Sequence, residues 1–155
     1  MPVSIGVASL TQAEELVEVP NDVRDLLAGF PDGSLTVVLR ARAALDSRLG
    51  SDRVAVRIVA HPSAKRLLEA TGPLTATSAN RSGEAPVTDC EEAARLLSGD
   101  GEAIEYVSGT CPGGSPSTLI AWYSVCGSTQ LRDTEVLREG VVPSKEVRSW
   151  LRRKI

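Results

Sequence analysis

Aromatic residues are scarce in this 155-residue chain: Phe30, Tyr106, Trp122, Tyr123 and Trp150 are the whole set. Proteins that grip single-stranded nucleic acid lay several rings along one surface for bases to stack on, so a generic stacking platform is not expected. Histidine is scarcer still, with His61 alone. Cysteine is limited to Cys90, Cys111 and Cys126, spaced 21 and 15 positions apart with no C-x-x-C. Such a set does not assemble the four close-set soft ligands of a structural zinc site. An odd thiol count without an export signal also disfavours a disulfide framework. The expectation is three reduced, partly buried thiols and no metal site.

Long hydrophobic runs are missing too. No stretch approaches the eighteen apolar residues of a membrane span, and the opening MPVSIGVASL has neither a positive n-region nor a long apolar h-region. Nor does one sign of charge dominate: 17 Lys and Arg against 20 Asp and Glu leave a net charge of -3. That argues against a protein coated in polyanion while leaving room for a local basic patch. What is present is ordinary, with 42% hydrophobic and 24% charged residues. A chain of this length buries roughly 70% of its extended-state surface without staples. A cytoplasmic, soluble, single domain over residues 1–155 is the expectation.

Along the chain, Val3 to Ala8 reads as a strand, and Thr11 with Glu14 makes a capping pattern before a helix bearing Ala13, Leu16 and Val17. Pro20 ends that helix, and Asn21 caps a second with Val23, Leu26, Leu27 and Phe30 at helical spacing. Pro31-Asp32-Gly33 is turn chemistry before the strand Leu35 to Leu39. Ala41 to Asp52 is irregular or short helix. In the strand from Arg53 to Val59, Val54, Val56 and Ile58 share one face while Arg53 and Arg57 share the other. His61-Pro62 opens a helix carrying Ala64, Leu67, Leu68 and Ala70 inward, with His61 a helix-start residue rather than a general base. Leu74 to Thr77 is a short strand, and Thr88 with Glu91 caps another helix. Ala103 to Val107 and Thr118 to Tyr123 read as strands, Glu135 to Leu137 as a last one, and Ser144 caps a closing helix through Trp150 to Lys154. Alternating strands and helices favour an α/β (α+β) layer fold with a single twisted mixed sheet flanked by helices.

Chemistry concentrates in four segments. Thr77-Ser78-Ala79-Asn80-Arg81-Ser82-Gly83 packs hydroxyls, an amide, a guanidinium and a glycine into one loop after a strand. Such a loop offers donors in a concave nest to phosphate or carboxylate oxygens. It also has the composition of a plain solvated turn, and it is not a P-loop, because no G-K-[ST] follows the glycine. Gly113-Gly114-Ser115-Pro116-Ser117-Thr118 lets backbone approach a ligand and sets hydroxyls at a sheet edge, or is simply a flexible loop. Arg53 and Arg57 point to one strand face, which either meets anions or is solvated. Arg138 closes the group, just ahead of Gly140.

Taken together, these segments resemble the YrdC-like family, the L-threonylcarbamoyladenylate synthases. The string PLTATSANRSGEAP followed by Val87-Thr88 is similar to the family's Ser-Ala-Asn-x-Ser-Gly loop. In the same order, Leu35-Thr36 resembles its Pro-Gly-Pro-Leu-Thr, and Val54 to Ile58 with His61 its V-x-V-R-x-P-x-H. Ser117-Thr118-Leu119-Ile120 resembles its Ser-Thr-Val strand, and Leu137-Arg138-Glu139-Gly140 its closing Leu-Arg-x-Gly. The likeness covers about residues 3 to 142. Departures are Pro86 where many members have serine, Val59 in place of proline, and Pro31-Asp32-Gly33-Ser34 in place of Trp-Pro-Gly-Pro.

The resemblance implies a twisted mixed sheet with a cleft, and formation of threonylcarbamoyl-AMP and pyrophosphate from L-threonine, bicarbonate and ATP. That product serves the N6-threonylcarbamoyl modification of adenosine 37 in tRNA through downstream threonylcarbamoyl-transfer machinery. Carried across by position, Arg53, Ser78, Asn80 and Arg138 would bind the nucleotide, and Arg57, Ala76 and Ser117 the threonine. Mg2+ would enter only as the companion ion of ATP. The absence of a nucleophile–histidine pair is consistent with this chemistry, which needs positive charge and oriented donors more than a covalent nucleophile. The family's Lys-x-Arg and first strands belong ahead of the segment matching Pro2-Val3-Ser4, so the chain is expected to be truncated at its N-terminus, with no catalytic residue identified in it.

Two alternatives stand beside this reading. In one, the chain is a non-catalytic module for tRNA or double-stranded RNA. Its tail from Pro143 to Ile155 sets Lys145, Arg148, Arg152, Arg153 and Lys154 against Glu146 alone, and a basic helix of this kind can follow a phosphate backbone. The same charges also suit a closing helix that complements its own dipole while Val147, Trp150 and Leu151 pack inward. In the other, the chain is an inactive fragment, with an unpaired sheet edge.

Overall fold

Among the described residues, runs of β-branched and aliphatic residues, the side chains that pack best on a pleated surface, make six strands. They are β1 (Ser4–Val7), β2 (Leu35–Arg40), β3 (Arg53–Ile58), β4 (Leu74–Ala76), β5 (Thr118–Trp122) and β6 (Thr134–Arg138). The computed structural model describes residues 3–124 and 133–154, so Cys126 lies outside the described residues. The strands form one sheet in the order β4-β1-β3-β2-β5-β6. β1 pairs with β3 and β2 with β5 in parallel; β1 with β4, β2 with β3, and β5 with β6 are antiparallel. This is the mixed α/β sheet that the alternation of elements implies.

By internal packing the chain divides into two compact units, one of Met1–Ala76 with Pro116–Ile155 and one of Thr77–Ser115. The first holds the sheet with α1 (Leu10–Leu16), α2 (Asn21–Ala28), α3 (Pro62–Thr71) and α5 (Ser144–Lys154); the second holds α4 (Cys90–Ser98). Within the first unit, alternate residues of the central strands, among them Val7, Val37, Val54, Val56, Ile120 and Trp122, join Val23, Leu26, Val147, Trp150 and Leu151 in one buried cluster. The period of two sends Gly6, Thr36, Arg53, Ala55 and Arg57 to the opposite face. One face is therefore apolar and covered by helices, and the other carries the polar groups.

Helix starts differ from the expected caps by one or two residues. Ser9, not Thr11, caps α1, its Oγ accepting from Gln12 N at 3.2 Å, while Gln12 Oε1 accepts from Ala8 N at 2.8 Å. This S-x-x-Q arrangement satisfies two amides reciprocally, which Thr11 with Glu14 does not. Likewise Asp89, not Thr88, caps α4 through Glu92 N at 2.8 Å. Pro20 occupies the cap position of α2 without a side-chain bond. His61 caps α3, its Nδ1 accepting from Ser63 N at 3.2 Å, which is the helix-start role expected of it. In α3 Leu68 is buried and Ala64 partly so, but Leu67 and Ala70 are exposed. Ala103 to Val107 forms no strand; it finds no partner strand, and Ile104, Tyr106 and Val107 stay exposed. No helix among the described residues is long and apolar enough to cross a membrane.

The closing helix α5 buries Val147, Trp150 and Leu151. Gly29, which ends α2, donates to Asp25 O and Leu26 O at 3.0 Å, and a Cβ there would stand 2.9 Å from Trp150 Nε1. Gly29→Ala is therefore expected to destabilise by about 1–3 kcal/mol through overpacking, despite alanine's better helix propensity. A lower midpoint in urea or thermal unfolding checks this; an unchanged midpoint would show that the indole gives way freely.

Candidate functional site

The most concentrated polar geometry lies at one end of the sheet, in the first unit. It starts from the turn Pro31-Asp32-Gly33-Ser34. Ser34 turns back on Pro31 O, with N at 3.1 Å and Oγ at 2.5 Å. Gly33 has φ +80°, and a Cβ on it would approach Ala60 Cβ to 3.1 Å, so both conformation and space call for glycine. The turn presents Gly33 O to Arg57, whose Nε donates to it at 3.0 Å.

Arg57, paired with Gly6 of β1, follows Val56, the last β3 residue paired with β2, which faces Val37, and so Arg57 stands at the position across from Thr36. Thr36 Oγ1 and Ser117 Oγ lie 2.7 Å apart in a hydrogen bond, on residues only 3% and 4% exposed. The Ser117 carbonyl accepts from Arg138 Nη2 at 2.9 Å. Leu119 faces Arg138 in the β5–β6 register, beside an irregularity of the ladder. Four side chains from four strands or their ends thus meet in one corner: Arg57, Thr36, Ser117 and Arg138.

Thr118 holds the corner together from behind. Fully buried, its hydroxyl donates to Val142 O at 2.5 Å and accepts from Gly140 N at 3.0 Å and Val142 N at 3.2 Å, which is all that one hydroxyl can do. Those bonds clamp the chain after β6 onto the start of β5. Gly140 packs so close there that a Cβ would collide with Pro116 O and the Ser117 backbone. Glu139 accepts from Ser144 N at 2.7 Å, and bonding to Ser144 holds its carboxyl below the usual range.

The electrostatics are those of two cations near one another without a carboxylate partner among the described residues. Burial pushes the Arg57 guanidinium down from its ordinary value, and the neighbouring charge of Arg138 pushes the same way. No ion pair among the described residues includes either arginine. Two guanidiniums restrained by carbonyls, with buried hydroxyls beside them, suit a carboxylate or a phosphate group, whose oxygens accept several N–H bonds at once.

Of the remaining expected site residues, Arg53 and Ala76 lie elsewhere in the first unit, while Ser78 and Asn80 are described with the second. Arg53 shares Arg57's face but begins β3, four residues away or about 13 Å along the strand. Its guanidinium donates to Trp122 O at 3.0 Å and Tyr123 O at 3.5 Å and sits 5.2 Å from the Tyr123 ring centre. Ala76 ends β4 opposite Ser4, whose Oγ donates to Ala76 O at 2.6 Å. Ser78 and Asn80 belong to the second unit. Ser78 is exposed. Asn80 Nδ2 donates to Arg81 O at 3.0 Å and Glu84 O at 2.8 Å, closing a turn, while its Oδ1 is buried without a partner. The loop is thus folded by its own amide.

Sequence reasoning named Gly33 as turn chemistry, Thr36 and Gly140 as motif positions and Thr118 as a hydroxyl at the sheet edge, but listed none of the four among the binding residues. Thr36 and Thr118 had a signal, as hydroxyl residues inside otherwise apolar strands; a hydroxyl there needs a partner. Gly33 O is a backbone acceptor, which residue type does not reveal.

Comparisons with known proteins bear on this arrangement. The family model described as telomere recombination, that of the Sua5, YciO and YrdC proteins, matches residues 1–140. A Mycobacterium tuberculosis protein, provisionally named a threonylcarbamoyl-AMP synthase, is 33% identical over 150 residues, covering 95% of this chain and 65% of its own. The threonylcarbamoyl-AMP synthase of Bacillus subtilis is 34% identical over 126 residues, covering 77% of this chain and 36% of its own. The chain therefore spans less than two thirds of the length of these relatives. Among solved structures, P. abyssi Sua5 complexed with L-threonine superposes with TM-score 0.78 at 32% identity, covering 97% of this chain and 43% of that one.

The corner's dependence on Thr118 is testable. Thr118→Val keeps the shape but strands three backbone groups, and is expected to destabilise by about 3 kcal/mol or more. Equilibrium unfolding reads this directly; a loss within about 0.5 kcal/mol, the range of an ordinary surface change, would remove Thr118 as the clamp.

Proposed function

Because the chain belongs to the Sua5/YciO/YrdC family, we propose that it serves as a threonylcarbamoyl-AMP synthase, joining L-threonine, bicarbonate and the AMP part of ATP with release of pyrophosphate. The observation that carries this reading is the corner of Arg57, Arg138, Thr36 and Ser117, a cationic, hydroxyl-lined anion site on a sheet of this family's kind. The similarity to a Sua5 structure complexed with L-threonine supports giving the corner to that amino acid's carboxylate.

In this reading Arg57 and Ser117 hold the threonine carboxylate, with Thr36 orienting the Ser117 hydroxyl and Ala76 bordering the same substrate. Arg138 reaches the nucleotide. Within the second unit taken by itself, Ser78 offers an exposed hydroxyl to nucleotide oxygens, and Asn80 fixes the shape of the loop that carries it. Arg53 adds positive potential for the nucleotide from the far end of its strand. Threonine's amine attacks the carbon of bicarbonate and a water leaves to give a carbamate, and a carbamate oxygen then displaces pyrophosphate from the α-phosphorus of ATP. Charge spreads over phosphate oxygens as that bond breaks, so guanidiniums and fixed donors are the groups that lower the barrier. Mg2+ accompanies ATP. The product, a reactive mixed anhydride, passes to transfer machinery that modifies tRNA, and the basic face of α5 is a surface RNA could follow. A cytoplasmic location goes with this role.

The test is pyrophosphate release from ATP by the purified chain, with and without L-threonine and bicarbonate. Release that needs both is expected. Arg57→Ala should lower kcat/KM for threonine by about 10²-fold, in the range typical of a lost donor at developing or bound charge, and Arg57→Lys should recover part of it. Threonine should also raise the midpoint of thermal unfolding in the unsubstituted chain by mass action. Release indifferent to threonine, with no thermal shift, would refute the reading.

A further inference from the structure

The second unit holds a pair of thiols in contact. Asp89 and Thr110 form an isolated antiparallel bridge. It is flanked by Cys111 N donating to Thr88 O at 2.7 Å and Cys90 N donating to Gly109 O at 3.1 Å. With 89 facing 110, residues 90 and 111 both project to the other side of this short ladder. Their sulfurs lie 3.9 Å apart, within about 2 Å of bonding distance. Nothing in the spacing of 21 residues announces this; the bridge creates it. Cys111 is exposed and Cys90 partly so, and neither is bonded to another cysteine.

We propose that Cys90 and Cys111 are a reversible disulfide site, formed by exchange with a small disulfide such as oxidised glutathione and opened by dithiols. The exposed Cys111 thiolate attacks one sulfur of the oxidant; a mixed disulfide forms and one thiol leaves. Cys90, as thiolate, then attacks Cys111 Sγ, the intramolecular S–S bond forms and the second thiol leaves. The protein loses two hydrogens and the oxidant is reduced to two thiols, so electrons and protons balance. A helix N-terminus ordinarily lowers a thiol's pKa, but burial, the Cys111 contact and the Asp89 charge push Cys90 up. Once made, the bond covalently ties the start of α4 to the segment leading into Gly113-Gly114, and should stabilise the unit by closing a loop in the unfolded chain.

The experiment equilibrates the purified full chain in glutathione redox buffers, quenches with acid, blocks free thiols with maleimide and maps the digest by mass spectrometry. The expected result is a peptide linking Cys90 to Cys111 with Cys126 alkylated, reversed by dithiothreitol. The link should be lost in Cys90→Ser and Cys111→Ser, which should carry only glutathione on the remaining thiol. Oxidation should raise the thermal midpoint of the unsubstituted chain and of neither variant, and in urea the preference for this pairing over pairings with Cys126 should disappear. Pairing with Cys126 in the native chain, only mixed glutathione disulfides, no oxidation, or no rise in midpoint would each overturn the proposal. Because both variants are compared under reducing conditions first, a folding defect would be seen there and separated from loss of the bond.

Discussion

The side-by-side placement of Arg57 and Arg138 governs the polar end of the sheet. Like charges repel, and burial strips Arg57 of part of its hydration; backbone carbonyls restrain both side chains, Gly33 O one guanidinium and Ser117 O the other. Carbonyl dipoles can orient a cation without neutralising it. An arginine bonded to a carboxylate would have its charge already answered, as Arg48 does with Asp46. Held this way, the two guanidiniums keep charge and N–H groups that an anion's oxygens can pair with.

That restraint explains the local sequence. Gly33 must be glycine because the carbonyl that meets Arg57 sits on a left-handed turn pressed against Ala60. Gly140 must be glycine because the strand carrying Arg138 leaves the sheet against the backbone of Pro116 and Ser117. Thr118 answers three backbone groups at that crossing, and Thr36 answers the buried hydroxyl of Ser117. On the opposite side of the same strands the apolar cluster fixes their register. A slip by one residue would bury Arg57 and expose Val56, so the core determines where the cations point.

Much of this was legible in the residues. Alternation in Arg53–Ile58 gave the right faces, and the runs at Leu35 and Thr118 and the pattern of the closing helix fell where the elements form. Family membership was legible from motif order. Partners were less so. Spacing put Arg53 and Arg57 on one face, but a strand carries residues four apart well away from each other, and only Arg57 reaches the corner with Ser117 and Arg138. Caps slipped because Ser9 and Asp89 compete with neighbouring threonines and win by the bonds they complete. Ala103 to Val107 had strand-like side chains but no edge to join. The Cys90–Cys111 contact depends on a two-residue bridge, and Gly33 O on a carbonyl's direction, neither of which has a signature in residue type.

The most direct measurement of the central claim is a titration of the arginine Nε–Hε resonances of the 15N-labelled chain with L-threonine and, separately, with pyrophosphate. Saturable shifts of the Arg57 and Arg138 signals with at least one of these anionic ligands are expected, while Arg48, paired and exposed, stays where it is. If Arg57 and Arg138 remain still with both ligands, or move no more than Arg48, the corner is not an anion site and the account fails.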